Sequence, residues 1–321
     1  MTAGRDTVWL VGDVGATNAR FGLASPAGAV LHSRTFADAD FATIGDAIRA
    51  YLAQAGSFPR PRIGCLAIAA PVSGDDIRMT NHPWSFSAAA LRAQLSFERL
   101  EIINDFTAVA LALPRLGPKD RMPVGGGVPI AGRPIAVLGP GSGLGASGLI
   151  PAGSGWLPLT GEGGHVTMPA VTARENAVLD WMRRHFDHVS AERCLSGPGL
   201  VNLYNALAGL DGVPAAPYTA AQITDTATAA RDPLCREATA MFCAMLGTVA
   251  GDLALTLGAK GGVYIAGGIV PRLGARFVES GFRTRFETKG RLSPYVAAIP
   301  TSVVTHPLPA FLGCAAVLAD S

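Results

Sequence analysis

The sequence predicts a two-domain α/β protein, and three observations carry that prediction. The chain has 321 residues, which suggests about two domains. Short apolar strand patterns alternate with helical spacings through both halves. A stretch rich in Pro and Gly, residues 114–133, reads as a domain junction between them. Each half opens with a strand, a glycine turn and a second strand, a faint internal duplication.

The elements follow in order. Residues 8–12, Val-Trp-Leu-Val-Gly, form an apolar strand, residues 13–18 a tight turn and residues 19–24 a second strand. Ser25-Pro26-Ala27-Gly28 is another turn, and residues 30–35 a third strand. Residues 44–55 place Ile44, Ala47, Ile48, Tyr51 and Leu52 on one helical face. Residues 63–69 are a buried strand, 75–81 a short hairpin arm, and Ser87 caps a helix ending near Leu95. Residues 101–104 are a strand running directly into a helix over 106–113. The first half is therefore β-β-β-α-β-α-β-α. The second half has strands at 135–138 and 146–150. Helices follow at 173–186, 191–210, 219–229 and 233–257. A strand at 263–266, a helix at 271–279, a strand ending at Val303-Val304 and a helix at 309–319 complete it.

Composition narrows the function. The chain is 49% hydrophobic and 16% charged, so it can bury sizeable cores. Its net charge of +2 is too small to imply a nucleic acid or an anionic membrane as partner. Three lysines, Lys119, Lys260 and Lys289, offer few point charges for phosphate. Five cysteines without a C-x-x-C pair disfavour a disulfide framework or a structural zinc site, and point to buried thiols in a reducing cytoplasm. Residues 1–6 show no signal-peptide pattern. Residues 134–161 carry no charge, but Gly, Pro and Ser interrupt them, so a glycine-rich ligand loop explains them better than a membrane span.

The organising stretch is Leu100-Glu101-Ile102-Ile103-Asn104-Asp105-Phe106. A strand ends in an amide and a carboxylate where a helix begins, the place where α/β folds collect ligands. Asn104 and Asp105 can hydrogen-bond a polyol and take a proton from it. An Asp at that position is also a common helix N-cap. Three glycine segments accompany the pair. Gly12-Asp13-Val14-Gly15-Ala16-Thr17 can turn backbone N–H groups and a hydroxyl toward an anion, with Asp13 able to hold Mg²⁺ through water. Gly139-Pro140-Gly141-Ser142-Gly143-Leu144-Gly145 carries a hydroxyl at its tip. A strand follows it, which removes the dinucleotide-binding reading of Gly141-x-Gly143-x-x-Ala146. Gly267-Gly268 lets a flat base or ribose lie close to the backbone, or serves close helix–strand packing. Glu162 and His165 sit in a glycine-rich turn, and Glu192 starts a helix capped by Ser190, where the dipole favours an acid. His185 and His188 stand three apart without a third ligand, which excludes a metal site there.

Together these motifs resemble the bacterial glucokinase family. They are Gly-Asp-Val-Gly-x-Thr-Asn, Ile-Asn-Asp-Phe-Thr-Ala, Gly-x-Gly-Ser-Gly-Leu-Gly, Gly-Glu-Gly-Gly-His, Ser-Ala-Glu-Arg and Ala-Gly-Gly-Ile-Val-Pro-Arg, and they run in order over nearly the whole chain. The resemblance implies two actin-like, ribonuclease H-like α/β domains flanking an active-site cleft that closes on the sugar. The smaller spans residues 1–115, joined by the C-terminal helix 306–321, and the larger residues 116–305.

The resemblance also implies the activity: transfer of a phosphoryl group from ATP, with Mg²⁺, to the 6-hydroxyl of D-glucose, the first step of glycolysis. Asp105 would be the general base. Asn104, Glu162, His165 and Glu192 would bind the sugar. Gly12, Asp13, Val14, Gly15, Ala16, Thr17, Gly141, Ser142 and Gly143 would hold the phosphates, and Gly267 and Gly268 would lie beside the nucleoside. It further implies a cytoplasmic homodimer. Ala16 replaces the family's usual Gly, and its methyl is expected to restrict the turn; Ser142 replaces a common Thr and keeps the hydroxyl. The repressor–kinase branch is disfavoured by the missing cysteine-rich zinc motif and by the lack of a DNA-binding segment before Val8. A kinase for another hexose and a non-catalytic sugar sensor remain the alternatives.

Overall fold

The computed structural model describes residues 7–80 and 82–319. Residues 1–6, which carry no signal-peptide pattern, Asn81, the expected end of the hairpin arm, and residues 320–321, the end of the expected C-terminal helix, lie outside the described residues. The chain divides into two compact units. One comprises Met1–Gly117, Pro158–Thr160 and His306–Ser321; the other comprises Pro118–Leu157 and Gly161–Thr305.

The first unit contains β1 (Trp9–Val14), β2 (Asn18–Ala24), β3 (Val30–Ala37), β4 (Ile63–Ile68), β5 (Asp76–Arg78), β6 (Ser85–Ser87) and β7 (Arg99–Asn104). Its main sheet has the order β3-β2-β1-β4-β7. The first three strands are antiparallel, joined by the two short turns that Gly15 and Ser25–Gly28 announce. β4 and β7 run parallel to β1 and need helical crossovers, supplied by α1 (Ile44–Gln54) and α2 (Ala88–Leu95). Thr43 caps α1, whose Ile44, Ala47, Ile48 and Tyr51 are buried. β5 and β6 pair as a separate two-stranded arm. α3 (Asp105–Ala112) leaves β7 without a loop. The C-terminal helix Pro309–Ala319 lies so close to α3 that a Cβ at Gly313 would collide with the Ala108 carbonyl.

The second unit's sheet contains β8 (Arg121–Val124), β9 (Ile135–Pro140), β10 (Leu144–Ala152), β11 (Gly155–Leu159, whose last two residues are counted with the first unit), β12 (Gly262–Ile265) and β13 (Thr301–Val304), in the order β11-β10-β9-β12-β13-β8. β9 and β10 form an antiparallel hairpin, and β12 and β13 continue the sheet in parallel from β9. The internal duplication read from the sequence is therefore a repeated strand plan. β8 lies in the Pro/Gly stretch read as a junction. It is an edge strand antiparallel to β13, where a Pro is tolerated because one side of the strand makes no ladder bonds.

The helices of this unit are α4 (Ala173–Arg183), α5 (Ala191–Cys194), α6 (Gly197–Asp211), α7 (Ala220–Thr224), α8 (Thr226–Arg231), α9 (Pro233–Leu257), α10 (Val270–Leu273), α11 (Ala275–Val278), α12 (Phe282–Glu287) and α13 (Ser293–Ala297). Three expected helices are each two. Ser196 caps a new start at Gly197-Pro198 and divides 191–210. Asp225 ends α7 and caps α8. Gly274, at φ 54° and ψ −128°, separates α10 from α11. α9 is long and apolar enough to cross a membrane by length and composition, yet its Cys235, Phe242, Leu246 and Ala250 are fully buried in this unit's core.

Candidate functional site

In the first unit the carboxyl ends of the parallel strands lie in register: Val14 is opposite Ile68, and Ile68 is opposite Asn104. The Gly15 turn and the Asn104-Asp105 pair therefore share one sheet edge, two strand spacings or about 10 Å apart. The N-cap of α3 is Asn104 rather than Asp105. Its Oδ1 accepts the Phe106 N–H at 2.9 Å and the Thr107 N–H at 3.1 Å, and its Nδ2 donates to the Ala70 carbonyl at 3.2 Å. One Nδ2 hydrogen remains for a ligand. Asp105 is the first helical residue and half-buried, and its Oδ1 also accepts the Phe106 N–H at 2.8 Å. The capping explanation of Asp105 thus passes to its neighbour.

Gly12, Asp13 and Val14 belong to β1, not to a turn; the turn is Gly15-Ala16-Thr17, closed by the Gly15 N–H donating to the Asn18 carbonyl at 3.0 Å. Gly12 has no room for a side chain, because Leu66 and Phe21 close over it. Ala16 keeps an ordinary negative φ. Among the described residues only Ser96 is a non-glycine at positive φ, so the extra methyl costs Ala16 no left-handed strain. Asp13 faces Arg20 across the hairpin at 3.6 Å. Burial raises its carboxyl above the usual range, and Arg20 opposes that rise.

This donor set bears on Mg²⁺. Among the described residues no three His, Cys, Asp or Glu side chains cluster. A single carboxylate already facing an arginine fits a cation carried by the nucleotide's phosphates and touched through water.

In the second unit the tip of the β9–β10 hairpin is Gly141-Ser142-Gly143, with the Gly141 N–H donating to the Gly143 carbonyl at 2.8 Å. Ser142 is exposed at its apex. Gly267, at φ 80°, packs onto the Pro140 carbonyl, where any Cβ would collide, while Gly268 faces open space. Gly141, Ser142 and Gly268 line one cavity of about 940 Å³. Its walls add residues the sequence reading missed, among them Val201, Thr219, Asp225, Arg272 and Arg276. Arg272 closes the quoted glycine motif, and Arg276 follows four residues later, across the Gly274 break; two basic residues so close to the motif were the available signal. The first turn of α6 also borders the cavity, but its N–H groups are spent. Gly197 donates to the Gly141 carbonyl at 2.8 Å, Gly199 to Ser196 Oγ at 2.9 Å and Leu200 to the Ser196 carbonyl at 2.9 Å, and Pro198 has none.

The remaining predicted residues assemble beside this hairpin. The Met168 N–H donates to the Val189 carbonyl at 3.0 Å, and the Ala191 N–H to the Val166 carbonyl at 2.8 Å. This short pairing brings the segment after His165 alongside the segment before Glu192. Glu162 and His165 are exposed; Glu192 is half-buried, and its Oε2 accepts the Leu144 N–H at 2.8 Å.

Two sheets of one strand plan, each with a glycine hairpin, and in the first unit a carboxylate at a strand end fit one class: a sugar kinase with the actin-like two-domain fold. The family model described as glucokinase matches residues 10–321. The chain belongs to the glucokinase family. It is 54% identical to a glucokinase from Paramagnetospirillum magneticum over 97% of both chains. A crystal structure of glucokinase from an Antarctic psychrotroph superposes with a TM-score of 0.87 at 38% identity, covering 98% of this chain and 99% of that one. A ROK-family glucokinase from Streptomyces griseus, solved with glucose and AMPPNP, shares the fold at a TM-score of 0.64 and 19% identity, covering 98% and 99%.

Proposed function

We propose that the protein phosphorylates D-glucose from ATP at the 6-hydroxyl, with Asp105 as general base. The observation that carries the reading is the division of labour at the end of β7: Asn104 caps α3 and fixes its first turn, so Asp105 is held at a defined place without serving as the cap. Its carboxylate takes the hydroxyl proton while the sugar oxygen forms a bond to the γ-phosphorus. The bond from that phosphorus to the β,γ-bridging oxygen breaks, and ADP leaves. Little covalent chemistry falls to the protein, so positioning carries most of the rate, and the base adds about 10²–10⁴-fold.

The other assignments follow from donor and acceptor chemistry. Glu162 and Glu192 accept from sugar hydroxyls, His165 exchanges one hydrogen bond with them, and the free Nδ2 hydrogen of Asn104 donates to one. Ser142, Thr17 and the backbone of their turns receive the phosphates. Gly268 borders the nucleoside, with Val201 and Ile269 as apolar walls. Asp13 would hold Mg²⁺ beside the phosphates, and the cation would supply neutralisation of their charge. The cytoplasmic homodimer is proposed on the resemblance, and sedimentation velocity tests the dimer.

The function is tested by ADP release with MgATP and a hexose panel. A site built on hydroxyl hydrogen bonds rejects mispaired analogues, so glucose is expected to exceed mannose and N-acetylglucosamine by an order of magnitude or more in kcat/KM. Turnover with another hexose alone would replace the substrate, and sugar binding without turnover would replace the enzyme by a sensor.

A further inference from the structure

Leu144 stands where three segments assigned to two different ligands meet. Its N–H donates to Glu192 Oε2. Its carbonyl abuts Gly164, in the middle of the Glu162–His165 turn, where any Cβ would overlap the oxygen. The residue before it, Gly143, ends the phosphate turn, and the Glu192 carboxylate fills the space a Cβ would take there. One bond braces the segment that follows Glu192, and another ties that segment to the same turn. Ser196 Oγ donates to the Glu192 carbonyl at 2.8 Å, and the Gly197 N–H donates to the Gly141 carbonyl at 2.8 Å. The segment from Glu192 to Gly197 thus holds the three-residue turn at both ends, and one of its grips is the side chain assigned to the sugar.

We infer that Glu192 is a positioning residue for the phosphate turn as well as a sugar ligand, and that its bond to Leu144 couples sugar binding to nucleotide binding. The inference rests on the ligand assignments proposed above. Oε2 is committed to the Leu144 N–H, which leaves Oε1 to accept a sugar hydroxyl. A half-buried glutamate loses rotamer freedom when both oxygens are engaged. Whichever ligand binds first bears that ordering cost and lowers it for the other. Linkage makes the effect reciprocal: the factor by which bound sugar raises nucleotide affinity is the factor by which bound nucleotide raises sugar affinity.

Titration calorimetry measures ADP affinity without and with saturating glucose, and glucose affinity without nucleotide, in the unmodified protein and in Glu192→Ala, Glu192→Gln and Gly143→Ala. The unmodified protein is expected to bind ADP more tightly with glucose present, and equal affinity with and without it would overturn the coupling. Thermal melts confirm that each variant is folded. Glu192→Ala is expected to weaken both ligands by about tenfold, the effect of one lost hydrogen bond to a charged group. Glu192→Gln keeps an oxygen for Leu144, so ADP affinity is expected within about twofold of the parent while glucose weakens. Gly143→Ala is expected to weaken glucose although it alters only the phosphate turn. Glucose weakened with ADP unchanged in Glu192→Ala would overturn the inference and leave the sugar assignment standing. ADP weakened with glucose unchanged would instead overturn the sugar assignment, and the coupling with it. Should Glu192→Ala not fold, Gly143→Ala decides: unchanged glucose affinity there overturns the coupling.

Discussion

Replacing Asn104 with alanine probes the joint on which the catalytic assignment depends. The substitution removes the acceptor of the Thr107 N–H and the donor to the Ala70 carbonyl. Phe106 keeps a partner, because Asp105 Oδ1 also accepts its N–H. A lost N-cap costs about 1 kcal/mol, and a neutral hydrogen bond adds about 1 kcal/mol. The expected destabilisation is therefore about 2 kcal/mol, a fall in melting temperature of about 3 °C for a chain of 321 residues. Turnover should fall as well, since Asp105 sits in the turn that frays, and glucose should weaken through the lost Nδ2 donor. Asn104→Ser restores the cap but not the tie to Ala70, so about half the stability should return. Urea unfolding followed by circular dichroism, beside steady-state kinetics, reads both effects. A folded Asn104→Ala protein with unchanged stability would refute the capping assignment and return that role to Asp105.

Two further predictions follow from the second unit. Burial alone would raise the Glu175 carboxyl, but Arg285, at 2.6 and 3.2 Å, and the Val171 and Thr172 N–H groups outweigh it and hold it below the usual range. A depressed carboxyl contributes stability above its unfolded value, near pH 4.3, that is lost as pH falls through the folded value. Arg285→Met strands the buried acid and should cost about 3–5 kcal/mol at pH 7. The deficit should shrink on acidification, when the stranded acid can protonate; a deficit that grows with acid in urea titrations would contradict this. Separately, Arg272 and Arg276 line the cavity proposed for the nucleotide, and no ion pair joins either to a described residue. Their joint replacement by alanine should raise the KM for ATP several-fold at low salt, and less at 0.5 M salt where exposed charges are screened. Equal effects at both salt concentrations would assign them a packing role.

How much was legible in the sequence depended on whether the signal was local. α9 was readable to the residue, because Asp232 caps it, Pro233 opens it and Gly258 ends it in the left-handed conformation. The C-terminal helix opens the same way at Pro309. The same grammar was present at Ser196-Gly197-Pro198 but was masked by apolar periodicity running through it, so two helices were read as one. β8 was hidden by composition: it holds Pro123, precedes three glycines and takes its ladder from β13, far away in sequence. The glycine turns and Asn104-Asp105 were legible because tight turns and strand-end carboxylates are short motifs. The exchange of roles between Asn104 and Asp105 depends on one side chain's orientation, which spacing does not encode. The meeting of Gly143, Gly164 and Glu192 at Leu144 joins Leu144 to a residue 48 positions away, which only the folded chain brings together.

The central claim is that Asp105 is the base of a glucose kinase, and one assay tests it most directly. ADP release is measured with MgATP and glucose for the parent and for Asp105→Asn, which keeps the side chain's shape and removes its charge. The account predicts glucose-dependent turnover in the parent and a loss of about 10²–10⁴-fold in kcat in the variant, with glucose still bound. Near-normal turnover in a folded Asp105→Asn protein would contradict it.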